Sequence, residues 1–383
     1  MKALGLVVLA AATSMASCGG PAAGHVPEGS VASNEADRGN VVSTNEQRLH
    51  DRLANTVAPL VQAPFGTAAA VSGAVGSVQT TAALGTLWDG GPVAGNDTRF
   101  NVASVSKVLT ASRIVSLAHA KVIGLDDPVS KYLPGVKLLD TGGVDQAGTI
   151  TVRQLVQHRS GLPQVPKDLD QKVANRWPSP DLLRVLTDSW ELTLEGTPGQ
   201  YKYSNTGYAL LGAIVERSRN CSFADCMAAY LNELGMTRSA FWPATLGDDA
   251  ARGRVVAQGS VKFNPPSWYA SRYAIPFTGL WTSMPELARF GSMIVAASKD
   301  PASPLHAMTT TDGPTLGLFR NTRLGAPSLE HDGSGPGFYA ALIIVPSKNI
   351  VVALGTNGGN QTKAEGVGFT DVVVSAVNAV PEP

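Results

Sequence analysis

An excess of charge of one sign is missing from this chain of 383 residues. Thirty lysines and arginines balance thirty aspartates and glutamates, and no basic run or arginine-rich stretch stands out. Nucleic acids and anionic surfaces are bound by clustered positive charge, so the sequence indicates neither as a partner. The six histidines are scattered without the His-x-x-x-His spacing of a metal site. We therefore expect neither a metal nor a cofactor.

Long hydrophobic runs are also absent, apart from a short one at the N-terminus. Lys2 is followed by an apolar run, Ala3–Ala12, and then by small residues. This pattern is typical of a secretory signal peptide, and the run is too short to cross a bilayer. Met15–Cys18 resembles a bacterial lipobox. The resemblance implies that residues 1–17 are removed and that lipidated Cys18 tethers an exported cell-envelope lipoprotein to a membrane. A plain secreted protein is the alternative.

A segment rich in small and polar residues follows. Residues 18–48 contain glycine, proline, serine, asparagine and acids with few large apolar side chains, which is typical of a flexible linker. We expect the folded domain over residues 49–383, a length that allows one large domain or two lobes with an ample core. Cys221 and Cys226 are the only other cysteines. Outside the cytoplasm we expect them to close a small disulfide loop, with two free thiols as the alternative.

The first chemical motif is Ser104-Val105-Ser106-Lys107, at the start of an apolar helical segment. Residues three apart share a face of a helix, so Lys107 would lie beside Ser104. A serine hydroxyl is a poor nucleophile until a neighbour takes its proton, and a lysine in a dry pocket can become that neighbour. About one Ser-x-x-Lys is expected by chance in a chain of this length. Taken alone, the motif favours an exposed polar pair on a helix.

Two further motifs follow in order, Tyr203-Ser204-Asn205 and His331-Asp332-Gly333. Ser-x-x-Lys followed by two such elements is the arrangement of β-lactamases and penicillin-binding proteins. The Tyr-x-Asn and His-x-Gly forms make the chain resemble the class C β-lactamase-like serine hydrolases, which include D-alanyl-D-alanine carboxypeptidases, D-aminopeptidases and esterases. The resemblance extends from about Thr67 to Asn357. Its flanking sequences are Gly124–Val129, Tyr132–Pro134, Ile150–Leu155, His158–Pro163, Pro198–Gly199, Leu234–Met236 and Ser334–Phe338.

This resemblance implies roles for the first two motifs. Ser104 would be the nucleophile and Lys107 its proton partner. Tyr203 would activate Ser104 or the incoming water, and we expect the neighbouring lysine to favour its phenolate. Asn205 is expected to hydrogen-bond the substrate amide and Lys107. His158, in contrast, is expected to be a structural residue at a helix end.

The third motif departs from the lysine that β-lactamases carry at the position of His331. A histidine is mostly neutral at neutral pH, because its pKa is about 6.5. We therefore expect a substrate carboxylate to be bound more weakly there than by a lysine. The resemblance further implies that Gly333 lets the substrate backbone approach the sheet edge. The backbone N–H groups of Ser334 and Ser104 would form the oxyanion hole.

Apolar runs and turn residues predict an α+β fold. Thr67–Leu87 is expected to form two antiparallel strands, and Phe338–Val345 a hairpin with Ile350–Thr356. The segments between them are mostly helical. These predicted helices are Val105–Ala120, Val152–Gln157, Pro180–Leu186, Tyr208–Ser218 and Pro285–Ala297. The prediction is a β-lactamase/transpeptidase-like fold, with an antiparallel sheet built from both chain ends, flanking helices and an inserted, mainly helical lobe.

The sequence thus favours an exported serine hydrolase that forms an acyl-enzyme on an amide or an ester. A D-amino-acid peptide, a small ester and a β-lactam are the candidate acyl donors. A true class C-type β-lactamase is the alternative within enzymes. A binding lipoprotein without activity is the alternative of another class. No oligomeric state is predicted.

Overall fold

A computed structural model shows the order of helices and strands. It describes residues 32–61, 66–166, 192–241, 247–257, 260–263, 273–310 and 313–358, together with residues 375 and 378. The helices are α1 (Ala32–Val57), α2 (Ser106–His119), α3 (Val129–Tyr132), α4 (Val152–Val156), α5 (Asn205–Arg219), α6 (Phe223–Glu233), α7 (Ile275–Thr278) and α8 (Met284–Lys299). The strands are β1 (Ala68–Val75), β2 (Val78–Gly85), β3 (Arg99–Asn101), β4 (Leu138–Leu139), β5 (Leu192–Thr193), β6 (Ala240–Phe241), β7 (Arg254–Ala257), β8 (Ser260–Phe263), β9 (Leu280–Ser283), β10 (Phe319–Arg323), β11 (Ala326–Gly335), β12 (Phe338–Val345) and β13 (Ile350–Thr356).

The main sheet joins the two ends of the domain. Its strand order is β10-β11-β12-β13-β1-β2, and every neighbouring pair is antiparallel. The junction lies between β1 and β13, where Val71 is opposite Leu354. Both predicted hairpins are present within their expected ranges. The predicted α+β architecture, with a sheet from both chain ends, is confirmed.

Both faces of this sheet are covered, as the continuous apolar run of β12 requires. Ala340, Leu342 and Ile344 belong to the large core that also contains the inward faces of the helices between β3 and β9. Ala341 and Ile343 alternate with them and belong to a second, smaller core on the opposite face. The sheet is therefore the middle layer of the domain, and the large core between sheet and helices positions the site.

The smaller core includes the C-terminal half of α1, which changes one expectation. Leu49, Leu53 and Val57 recur every four residues and are buried in this core. Helix α1 starts at Ala32, so part of the segment expected to be a flexible linker is helical instead. Residues 32–48 contain one glycine and no proline, in contrast to the preceding stretch. By contacts, residues 44–383 form one unit and residues 1–43 another.

The helical insertion follows the prediction, with shifted boundaries. Helix α5 begins at Asn205 rather than Tyr208, because the Ser204 hydroxyl accepts a hydrogen bond from the Gly207 N–H at 2.8 Å and so caps the helix. Cys221 and Cys226 form a disulfide at the junction of α5 and α6, with 5.7 Å between their Cα atoms. The predicted helix over residues 180–186 lies outside the described residues.

The N-terminal predictions also fall outside the described part of the chain. This applies to the signal peptide, residues 1–17, and to the proposed lipidation site Cys18. No helix within the described residues combines the length and the apolar character that spanning a membrane requires.

Candidate active site

Ser104 lies in a tight turn, Ala103–Val105, between β3 and α2. Ala103 has a φ of +43°, a backbone region that residues with a side chain rarely occupy. Asn101 holds this turn in place. Its Oδ1 accepts a hydrogen bond from the Ala103 N–H at 3.0 Å, while its Nδ2 donates to the carbonyl of Thr278 at 2.9 Å. No local sequence pattern indicates this role for Asn101, because its partner Thr278 is distant in sequence.

Lys107 lies one turn further along, directly beneath Ser104. Its Nζ donates to Ser104 Oγ at 2.9 Å and to the carbonyl of Phe277 at 3.1 Å. The side chain is fully buried, with its Nζ 5.0 Å from the ring centre of Tyr203. Burial holds the pKa of Lys107 well below its usual value, although the charge of Asp332 opposes the shift. The lysine is thus suited to accept a proton from Ser104.

Tyr203 completes this group from the loop that precedes α5. Its phenol hydrogen-bonds with the Ser104 hydroxyl. Burial raises the pKa of Tyr203 far above its usual value, and this effect outweighs the hydrogen bond to Ser104. The expected phenolate is therefore wrong: the tyrosine is a neutral phenol, because burial disfavours its charged form.

Asn205 is the first residue of α5, next to the capping Ser204. The expected hydrogen bond between Asn205 and Lys107 is not present among the described residues. Lys107 Nζ donates instead to the Ser104 hydroxyl and to the carbonyl of Phe277. Among the described residues, the buried Oδ1 of Asn205 has no hydrogen-bond partner. A buried acceptor without a partner is costly and calls for a donor from elsewhere.

His158 supports the Tyr203 loop from the end of α4. Its ring stacks on that of Tyr203 with 4.3 Å between centres, and its Nδ1 accepts a hydrogen bond from the Ser204 N–H at 3.0 Å. Burial lowers the pKa of His158 well below its usual value, so the imidazole is neutral and Nδ1 is free to accept. The structural role expected for His158 thus includes direct contact with Tyr203.

His331 lies on β11 with 3% of its surface exposed. Its Nδ1 is 2.7 Å from the carbonyl oxygen of Asp332, which fixes the proton on Nδ1 and leaves a lone pair on Nε2. That buried Nε2 has no partner among the described residues. Burial lowers the pKa of His331 to about 3. The ring is accordingly neutral at physiological pH.

Gly333 brings β11 into contact with the Ser104 turn. A Cβ at this position would lie 2.2 Å from the carbonyl oxygen of Val102 and 2.9 Å from the Ser104 nitrogen. Only glycine permits such an approach. Ser334, the next residue, is exposed and lies opposite Tyr339 in the register with β12.

The three motifs therefore meet at one place in the fold. The group contains a half-buried serine, a buried lysine, a neutral phenol and two buried acceptors, Asn205 Oδ1 and His331 Nε2. Such a group can deprotonate a hydroxyl and accept hydrogen bonds from a ligand N–H or O–H. In the described part of the chain, no group of three or more His, Cys, Asp or Glu side chains is arranged to hold a metal.

Comparison with known proteins agrees with this geometry. The family model described as Beta-lactamase matches residues 53–373 of the chain. The chain belongs to the β-lactamase family. The predicted resemblance is confirmed, and the chain is an enzyme of this family of serine hydrolases.

Two relatives in sequence match this chain over different shares of their own length. Penicillin-binding protein 4 of Amycolatopsis lactamdurans is 29% identical over 306 residues, which are 72% of this chain and 75% of that protein. Protein flp of Staphylococcus aureus (strain COL) is 31% identical over 146 residues, which are 38% of this chain and 28% of that protein.

Solved structures share the fold across nearly the whole domain. A class C β-lactamase has a TM-score of 0.69 and 19% identity, and the match covers 88% of this chain and 98% of that one. A D-stereospecific amidohydrolase from Streptomyces sp. has a TM-score of 0.66 and 20% identity, and the match covers 86% of this chain and 98% of that one.

Proposed function

We propose that this protein hydrolyses an ester or amide through an acyl-enzyme formed on Ser104. The proposal is carried by the contact of 2.9 Å between the fully buried Lys107 Nζ and Oγ of the half-buried Ser104. Ser104 Oγ forms a bond to the carbonyl carbon while its proton passes to Lys107. The leaving alcohol or amine takes up that proton when its bond to the carbon breaks. Water then attacks the acyl carbon, the bond from that carbon to Ser104 Oγ breaks, a proton from the water returns to Ser104, and the carboxylic acid leaves.

Tyr203 takes part in this cycle as a neutral phenol. Its hydroxyl, hydrogen-bonded to Ser104, is positioned to pass a proton between the serine, the leaving group and the water. Lys107 supplies the basic group of the pair, because burial disfavours its charged form. His158 keeps the tyrosine in place by stacking on its ring.

The oxyanion hole is assigned to the backbone N–H groups of Ser104 and Ser334. Negative charge develops on the carbonyl oxygen in the transition state, and two backbone donors are the usual means of stabilising it. The assignment is supported by the close approach of Gly333 to the Ser104 nitrogen, since this approach brings Ser334 to the same edge of the site.

The acyl donor is proposed to be a small ester or a D-amino-acid peptide. The named relatives include a penicillin-binding protein and a D-stereospecific amidohydrolase, which supports a D-amino-acid amide. The neutral state of His331 argues against rapid turnover of β-lactams, because their carboxylate would meet no permanent cation from this residue. We further propose that lipidated Cys18 tethers the enzyme to the cell envelope, where such substrates occur.

Intact-mass measurement tests the proposal. The full chain, the Ser104→Ala variant and the matched control Ser116→Ala are each mixed with 4-nitrophenyl acetate, with a D-alanine amide or with a penicillin. We expect ester or amide turnover, or a stable penicilloyl adduct, in the wild type and Ser116→Ala only.

Fast hydrolysis of penicillin without an adduct would favour a true β-lactamase. Turnover retained by Ser104→Ala would remove Ser104 as the nucleophile. No turnover and no adduct with any of the three would favour the inactive binding lipoprotein.

A further inference from the structure

A cavity of about 290 Å³ lies next to the candidate active site, between the end of α4 and the start of β10. His158 and Phe319 line this cavity and also contact the site. The ring of His158 stacks on Tyr203, and the ring of Phe319 lies 4.8 Å from that of His331. These two side chains therefore border both the cavity and the catalytic group.

Two arginines line the cavity, and none of its lining residues is acidic. Arg159 donates one Nη1 hydrogen bond to the carbonyl of Gly199 at 2.7 Å, and Arg320 donates one from Nη2 to the carbonyl of Gly313 at 3.0 Å. Among the described residues these are the only hydrogen bonds of the two guanidiniums, so the other N–H groups of each have no described partner. Across the described ranges, neither arginine has a carboxylate within ion-pair distance.

The neighbouring cavity has two acidic residues, Glu330 and Asp332, and in the described part of the chain neither forms an ion pair with Arg320. Glu330 and Arg320 both line that second cavity. Glu330 is, however, already paired with Arg323, at 2.9 Å between Arg323 Nε and Glu330 Oε1. The first cavity therefore combines two positive charges with the aromatic surfaces of Tyr201, His158 and Phe319.

We infer that this cavity binds a carboxylate carried by the substrate of the proposed hydrolase. Guanidinium groups bind carboxylates with paired, charge-assisted hydrogen bonds, and aromatic walls suit the apolar part next to the carboxylate. A volume of about 290 Å³ accommodates one part of a ligand rather than a whole one. The cavity would replace the carboxylate recognition that neutral His331 does not provide. This inference depends on the proposed function, and it leaves open whether the carboxylate belongs to the acyl part or to the leaving group.

Two substrate pairs distinguish these sources. For the acyl part, 4-nitrophenyl hydrogen glutarate is compared with its methyl ester. For the leaving group, 3-acetoxybenzoate is compared with 3-acetoxybenzamide. The variants are Arg159→Gln, Arg320→Gln and the double variant. Arg289→Gln is the control, because Arg289 also donates to a backbone carbonyl, that of Gly235 at 2.6 Å, but lies outside the cavity.

We expect the double variant to lower kcat/KM for the carboxylate member of one pair at least about tenfold, and to change the neutral member less than about twofold. The pair that responds identifies the source of the carboxylate. Equal losses for both members, or an unchanged ratio in both pairs, would overturn the inference. Melting temperatures of all variants establish that they are folded.

A binding measurement separates this inference from the proposed function. The dissociation constants of 3-acetoxybenzoate and monomethyl glutarate are measured with the Ser104→Ala variant. This binding measurement requires no turnover. Binding of one of them that weakens about tenfold with the arginine substitutions, but not with Arg289→Gln, supports the cavity even when no substrate is hydrolysed. Equal binding with and without the arginines contradicts it, whatever the activity of the wild type.

Discussion

At the residue scale, Lys107 links the chemistry of the site to the stability of the fold. Burial holds the pKa of Lys107 well below its usual value of 10.5 in the folded protein. Between the lowered pKa and 10.5 the unfolded chain binds more protons, so the free energy of unfolding rises with pH. Below both pKa values the penalty for the buried charge is fully present. The lysine thus costs stability at neutral pH in return for its function.

The first prediction concerns Lys107→Met. We expect this variant to lose acylation and to raise the free energy of unfolding at pH 7 by about 1 kcal/mol, because an apolar side chain removes the cost of disfavouring the charged form of the lysine on folding. The gain should shrink as the pH rises towards 10. Urea unfolding at pH 6, 7, 8, 9 and 10 measures it. Lys299→Met, at an exposed position of α8, is the control. If the two variants show the same pH dependence, the buried lysine is not the cause.

At the element scale, the contact between β11 and the Ser104 turn decides the geometry of the site. Gly333 allows that contact, since a Cβ there would overlap the carbonyl oxygen of Val102 at 2.2 Å. The overlap involves backbone atoms that are fixed by β3 and α2, so the strand must move away from the turn.

The second prediction therefore concerns Gly333→Ala. We expect kcat/KM to fall about 100-fold, because a displacement of about 1 Å misaligns the reacting groups. Circular dichroism should still show a folded protein. Gly148→Ala is the matched control: its added Cβ would meet no atom within 4 Å. Wild-type activity in Gly333→Ala would mean that β11 does not shape the site.

The elements show what local sequence could predict. Both hairpins of the main sheet and the helix after Ser104 follow from apolar runs and turn residues within a few positions, so their places were predicted closely. The stacking of His158 on Tyr203 joins residues 45 positions apart, and no local pattern contains it. The neutral state of Tyr203 depends on burial by distant elements. For the same reason, the cavity between Arg159 and Arg320 could not be read from the sequence.

At the scale of the whole molecule, the site depends on the joining of the two ends of the domain. Strand β1 pairs with β13 across more than 270 positions, and Ser104, Tyr203 and His331 come from the beginning, middle and end of the domain. Such long-range pairing costs loop-closure entropy before it is stabilised. The catalytic group is therefore complete only when the entire domain has folded.

The last prediction concerns the proposed lipid tether at Cys18. If Cys18 is lipidated, wild-type protein incorporates labelled palmitate and sediments with membranes, because each buried CH₂ contributes about 0.8 kcal/mol. We expect Cys18→Ala to lose the label and to move to the soluble fraction with unchanged activity towards a small ester. Ser17→Ala keeps a small residue before the cysteine and should remain labelled and membrane-bound. Wild-type protein that is soluble and unlabelled would indicate a plain secreted enzyme. An unlabelled Cys18→Ala that still sediments with membranes would indicate a retained signal segment as the anchor.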